Sequence, residues 1–295
     1  MKHNPYLLVH LCVLLWGFTA ILGKLITLHA IPLVFWRVLI VSACLWLWRP
    51  MWHQLSKFTL HDAGLSLGNG FIITLHWICF YTAIKTSNAS VAAVSLALAP
   101  IFLALLEPWL LRQPFVLGNL FMGIAALPGV AFVVGGIPDN MLTGFVWGTG
   151  AAFLAALFSV FNKGLAMRLP AMPLITLQMS AGTLMLGALI PLWPYFGSTF
   201  VLPQPTDLIW LIVLSITCTF VPFLLMTIAL RTVSAFSLQL AVNLEPIYAI
   251  ALATVLFDEG SELHGTFYAG MVLILAAILG HAALQRRMSR VSSAT

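Results

Sequence analysis

The chain has 295 residues, of which 61% are hydrophobic and 7% charged, and a formal net charge of +5. A soluble domain of this size cannot bury that much apolar surface, so hydrocarbon must serve as much of the solvent. The basic residues are scattered and match no nucleic-acid module, and no segment keeps the ~10-residue alternation of a membrane β-barrel.

A helix needs about 20 apolar residues to cross about 30 Å of hydrocarbon. Stretches of that length occupy residues 7–28, 31–48, 63–84, 89–111, 116–135, 142–162, 172–193, 208–230, 234–256 and 266–284. The first is too long for a secretory apolar core and has no small-residue cleavage site after it, so it reads as a retained span. The expected fold is therefore an all-α integral membrane protein with ten transmembrane helices. Cys12, Cys44, Cys79 and Cys218 all fall inside spans at scattered spacings. That pattern argues against a disulfide framework and against a zinc site.

An even number of spans puts both termini on one side, and the Lys/Arg distribution selects the side. With the N-terminus in the cytoplasm, Lys2, Arg49, Lys57, Arg112, Lys163, Arg168, Arg231, Arg286, Arg287 and Arg290 all lie on or beside inner segments. Lys85 lies in an outer turn, while Lys24 and Arg37 sit inside spans near their outer ends. Asp139, Asp207, Asp258, Glu259 and Glu262 fall on outer segments. The expected location is the cell inner membrane, with cytoplasmic N- and C-termini.

The second half repeats local features of the first. At an offset of 146, Ala83-Ile84-Lys85-Thr86 aligns with Ala229-Leu230-Arg231-Thr232, Ala89 with Ala235, and Pro100-Ile101 with Pro246-Ile247. At 147, Gly118 and Gly123 match Gly265 and Gly270; at 141, Pro32 matches Pro173; at 139, Lys24 pairs with Lys163. The shared order marks an internal duplication joined at the Gly135-Gly136-Ile137-Pro138-Asp139-Asn140 turn. This divides the chain into residues 1–136 and 137–295. Five spans per half is an odd number, so the halves would cross the membrane in opposite senses, as inverted repeats do.

Trp16-Gly17, Trp36-Arg37, the Ala-Ile-Lys-Thr run leading to Ala89 and Pro100, and Leu256-Phe257-Asp258-Glu259 together resemble the drug/metabolite transporter superfamily and its bacterial EamA-type family. The resemblance spans essentially the whole chain. It implies two inverted five-helix repeats around a central cavity, with spans 3, 4, 8 and 9 beside the pathway, and transport of small organic solutes, often outward. One departure is visible: the first repeat ends Leu111-Arg112-Gln113 where that family often has a Gly-Glu pair.

Ionisable side chains at bilayer depth cost ~2.5–3.5 kcal/mol on insertion scales, so they mark a cavity or a partner. Glu245 lies mid-span, and Pro246 after it has no N–H, so the helix can open and present carbonyls beside the carboxylate. A carboxylate there suits proton coupling, or equally a hydrogen-bonded bridge between two helices. His76, Trp77, Phe80 and Tyr81 form a stripe on one face of span 3, either packed or open to a solute. His76 shares a proton with Glu245 if their helices meet.

Arg37 is deep enough to need a partner, as a gate or structural charge or as an anchor for a carboxylate; Gln178 is its repeat-related position. Lys24 and Lys163 sit one turn from span ends and can snorkel. Glu107 pairs locally with Arg112. Trp16, Thr19, Asn243 and Tyr248 complete the candidate solute contacts.

These readings favour a secondary carrier working by alternating access on an amino-acid-like, neutral or amphipathic metabolite, in the export direction and with protons as a candidate coupled ion. A passive facilitator or channel on the same scaffold is the alternative. An intramembrane enzyme is disfavoured, since the histidines are dispersed and neither HExxH nor a strained serine loop is present. There is no GxxxxGK[ST] loop for ATP. No cofactor or metal is expected; the expected partners are the solute and the lipid bilayer.

Overall fold

The protein is described here from a computed structural model covering residues 5–111, 117–229, 241–242 and 244–292. Lys2, Arg112, Gln113, Arg231 and Asn243 lie outside the described residues, as do the side chains of Arg286, Arg287 and Arg290. Every regular element among the described residues is helical. Seven helices are long and apolar enough to span a membrane, and three shorter apolar helices cover Gly123–Gly135, Glu245–Phe257 and Gly265–Gly280. Large apolar side chains such as Leu7, Trp109, Phe121 and Val255 are exposed on the outside, as suits a protein solvated by lipid.

The order is α1 (Pro5–Leu25), α2 (Ala30–Leu47), α3 (Pro50–Leu55), α4 (Leu60–Thr86), α5 (Ala89–Leu96), α6 (Ala99–Leu111), α7 (Leu117–Gly135), α8 (Leu142–Arg168), α9 (Ala171–Ala188), α10 (Pro205–Ser215), α11 (Val221–Ala229), α12 (Glu245–Phe257) and α13 (Gly265–Ser292). Local chemistry sets several boundaries. The Thr59 hydroxyl accepts from Asp62 N at 3.0 Å to start α4, and the Asn88 side chain accepts from Val91 N at 2.9 Å to start α5.

Three elements depart from the continuous spans expected from sequence. The stretch 89–111 is two helices, α5 and α6, broken at Ala97 and Leu98 just before Pro100. The stretch 208–230 contains a π turn, Ile216–Phe220, ahead of Pro222. Glu245 opens α12 instead of lying within a helix, because Pro246 holds the second helical position, where no N–H is required. The short α3 has no counterpart among the expected elements.

Within the bundle, α4 lies antiparallel to α8: Asp62 near the start of α4 meets Arg168 at the end of α8 at 3.0 Å, and Ser87 after α4 packs on Gly144 near the start of α8. On its other flank α4 packs against α9, where a Cβ at Gly70 would lie 2.4 Å from Gln178 O. α1 runs beside α12 and α11, α2 beside α9 and α10, and α7 pairs with α13.

Small residues permit the α7–α13 pairing: a Cβ on Gly270 would sit 2.5 Å from Gly129 O and from Val133 N. Backbone cannot give way as a flexible side chain can. Replacing Gly270 with Val is expected to destabilise the protein by about 1–3 kcal/mol, the usual penalty of overpacking. The check is a lowered apparent melting temperature in detergent, with Gly280→Val, where nothing lies within 4 Å of a Cβ, as the neutral control.

Candidate functional site

A cavity of about 140 Å³ lies between the halves of the chain. α1 lines it with Trp16 and Thr19, α2 with Arg37, and α4 with Ile73, His76, Trp77 and Phe80. The α5–α6 break adds Leu96, Ala97 and Ala99. From the second half come Ala155, Phe158 and Ser159 of α8, Phe223 of α11, and Val242, Glu245 and Pro246.

Of the expected contacts, Trp16, Thr19, His76, Trp77, Phe80 and Glu245 border this space. Tyr81 is turned away to Arg37, and Tyr248 packs at the α1–α12 interface, where a Cβ on Gly17 would lie 2.9 Å from its Cβ. His76 and Glu245 face one cavity, but no hydrogen bond joins them. His76 Nδ1 meets Ala151 O at 2.8 Å; a carbonyl only accepts, so Nδ1 carries a proton, and in the neutral ring Nε2 is an acceptor. Phe223, unremarked in the sequence, organises the aromatic wall, with ring centroids 6.4 Å from Trp16, 5.8 Å from Trp77 and 5.9 Å from Phe158. Its only sequence signal is its place after Pro222.

Arg37 is 1% exposed, with its guanidinium carbon 4.1 Å from the Trp77 ring centroid. Its Nε donates to Thr219 Oγ1 at 2.6 Å, Nη1 to the Tyr81 hydroxyl at 2.8 Å and Nη2 to Cys218 O at 3.3 Å. Pro222 has no N–H to offer the Cys218 carbonyl four residues earlier, so Arg37 provides a donor where the helix lacks one. No described carboxylate lies within ion-pair distance of Arg37, although it and Glu245 interact electrostatically.

The two helix breaks at the cavity share one backbone pattern. In the first, Leu98 N donates to Ser95 O at 3.1 Å, Ile101 N to Leu98 O at 3.0 Å and Phe102 N to Leu98 O at 3.3 Å. In the second, Leu244 N donates to Ala241 O at 3.0 Å, Ile247 N to Leu244 O at 3.1 Å and Tyr248 N to Leu244 O at 3.2 Å. Pro100 and Pro246 follow at matching positions, and Ala99 in one break stands where Glu245 stands in the other.

Ion pairs sit at both ends of α4. Lys24 and Lys163 do not snorkel to the lipid interface: Lys24 Nζ donates to Glu259 Oε1 at 2.8 Å, and Lys163 Nζ to Glu107 Oε1 at 2.7 Å. Lys163, not Arg112, is thus the described partner of Glu107. Glu259 is fully buried and also accepts from Ala89 N at 3.1 Å, Ser90 N at 2.8 Å and Ser90 Oγ at 2.7 Å. A carboxylate carried after α12 therefore caps the first turn of α5, where free N–H groups need acceptors. Asp258, at φ 53°, turns the chain so that Glu259 points inward; aspartate tolerates that left-handed conformation better than most residues.

The EamA-like transporter family model matches twice, over residues 3–135 and 142–282. The chain belongs to the EamA-like transporter family. This EamA-like chain is a multi-pass membrane transporter, and its site is accordingly read as a place for a solute. It is 26% identical over 242 residues to the Bacillus subtilis (strain 168) protein called uncharacterized transporter YxxF, covering 78% of this chain and 75% of that one. A solved crystal structure matches 98% of this chain and 99% of its own with TM-score 0.65 at 16% identity, which shows a shared fold.

Removing the Glu259 carboxylate leaves Lys24 and the α5 N–H groups without their acceptor. Glu259→Ala is expected to cost about 3–5 kcal/mol, as breaking buried ion pairs does. The expected readout is an apparent melting temperature lower by on the order of 10 °C, with a smaller drop for Glu259→Gln, whose amide oxygen still accepts.

Proposed function

We propose that this protein is a secondary carrier that moves a small amino-acid-like metabolite, neutral or amphipathic, across the cell inner membrane by alternating access, in the export direction. The observation that carries this reading is the cavity itself, walled by α1, α2 and α4 to α6 of one half and by α8, α11 and α12 of the other. A site shared by two halves changes exposure when they rock against each other.

In this reading residues 1–136 and 137–295 are inverted five-helix repeats, making ten spans, with both termini cytoplasmic. The double match of the family model and the common pattern of the two helix breaks support the repeats. The excess of basic residues on the assigned inner segments supports the orientation. Trp16, Thr19, Trp77 and Phe80 contact the solute. Glu245 exchanges the coupling proton, with His76 beside the same space, and Lys24–Glu259 and Lys163–Glu107 tie down opposite ends of the pathway, with Arg37 holding α2 to α4 and to the π turn.

The test is counterflow in proteoliposomes preloaded with an isotope-labelled metabolite mixture. A carrier gives trans-stimulated exchange, and a pH gradient drives net accumulation. A channel or facilitator gives flux that ignores trans solute. Glu245→Gln is expected to abolish the response to the pH gradient, and a gradient response equal to wild type removes Glu245 from the coupling role.

A further inference from the structure

The connection from α2 to α4 carries chemistry that the cavity does not use. One apolar helix ends at Leu47 and the next begins at Leu60; these leucines are 82% and 94% exposed and mark the edge of the hydrocarbon on that side. Residues 48–59 therefore lie at headgroup depth. They are not a slack loop. Met51 of α3 is fully buried, the Trp52 indole N–H donates to Trp46 O at 3.0 Å, and the Trp46 indole N–H donates to Ser180 Oγ of α9 at 2.9 Å. Phe58 packs on Leu165, Leu169 and Leu174.

The outer side of this fastened segment is basic and aromatic. Arg49, His53 and Lys57 recur at intervals of four, and the backbone stays helical from Arg49 (φ −50°, ψ −41°) to Ser56 (φ −61°, ψ −14°), so the three share one sector, away from Met51. All three are exposed, and Trp48 and Trp52, 41% and 53% exposed, lie beside them. None of the three basic side chains makes a hydrogen bond or ion pair with a described residue. Asp62, the acid nearest in sequence, is already held by Arg168 at 3.0 Å and by the Thr59 hydroxyl at 2.7 Å. Membrane orientation asks only that basic residues be present in such a connection. It does not ask for a fixed row of them with indoles alongside.

We propose that α3 and its flanks form a site for an anionic phospholipid of the inner leaflet, with the phosphodiester between Arg49 and Lys57, the His53 imidazole beside it, and an acyl chain along Trp48 and Trp52. A guanidinium fork matches two phosphate oxygens and an ammonium adds a point charge, while indole rings settle between headgroup and hydrocarbon. A zwitterionic headgroup brings its own cation and leaves the row unanswered, so an anionic one is favoured. A lipid held there ties together the ends of α2 and α4, two helices that line the cavity. The choice of leaflet rests on the reading that both termini are cytoplasmic.

The test uses the full-length protein in detergent with added dioleoyl phosphatidylglycerol, dioleoyl phosphatidylcholine or glycerol 3-phosphate, read by native mass spectrometry and by the apparent melting temperature. Phosphatidylglycerol is expected to stay bound and to stabilise, and the other two are not. Arg49→Gln/Lys57→Gln is expected to need about 10- to 30-fold more phosphatidylglycerol, the scale of two basic residues at a charged lipid surface. Arg286→Gln/Arg287→Gln removes the same charge from the C-terminal segment and is expected to leave binding as in wild type. Equal loss in the two double variants means unspecific charge attraction, and equal stabilisation by glycerol 3-phosphate means a free-phosphate site; either overturns the assignment, as does equal stabilisation by phosphatidylcholine or no effect of phosphatidylglycerol. The leaflet is read separately, with a membrane-impermeant maleimide on Ser56→Cys, which is expected to label above the wild-type signal in lysed spheroplasts and not in intact ones. Labelling in intact spheroplasts overturns the inner-leaflet site and the orientation together, whereas failure of the lipid arms with Ser56→Cys shielded sinks this inference and leaves the orientation standing.

Discussion

A polar group buried in hydrocarbon has no water to turn to, and that constraint organises this molecule. Its prolines remove N–H donors at known places, and each removal demands an answer. At Pro222 the answer is Arg37, whose guanidinium crosses from α2 to reach the Cys218 carbonyl while also binding Thr219 and Tyr81. At Pro100 and Pro246 the helix breaks border a cavity instead.

The converse problem, helix N–H groups without acceptors, is met at the start of α5. Glu259 arrives from the far end of the chain, takes two backbone N–H groups and the Ser90 hydroxyl, and is neutralised by Lys24. The eight residues of α5 separate this clasp from the first break at Ala97 and Leu98. At the other end of α4, Lys163–Glu107 and Arg168–Asp62 close the bundle, with both partners more exposed than the buried Glu259.

Much of this was legible in the residues. Hydrophobic length marked the spans, and Trp16, Thr19, His76, Trp77, Phe80 and Glu245 were marked as candidates by polarity or aromatic spacing and do border the cavity. Helical periodicity also grouped Tyr81 with His76, Trp77 and Phe80, yet Tyr81 is enclosed by Gly23 and Arg37. Spacing tells which residues share a helix face, but not whether a neighbouring helix covers part of that face. Ser159 carried no signal and Phe223 none beyond its place after Pro222, because one phenylalanine or serine in an apolar span resembles any other until its neighbours are known.

Composition and the order of apolar stretches determined by themselves that the chain is helical and lives in a membrane, since about 20 apolar residues in succession have no other stable solvent. Breaks or a π turn accompany Pro100, Pro222 and Pro246, while Pro108 and Pro128 sit inside continuous helices. Only tertiary packing decided the partners: Arg37 for Cys218, Glu259 for α5, and Lys163 in place of Arg112 for Glu107. Those pairings join residues as many as 235 positions apart, as Lys24 and Glu259 are. The physical reason is that a buried charge is satisfied by whichever group the packed helices bring within about 3 Å, and sequence spacing does not encode that distance.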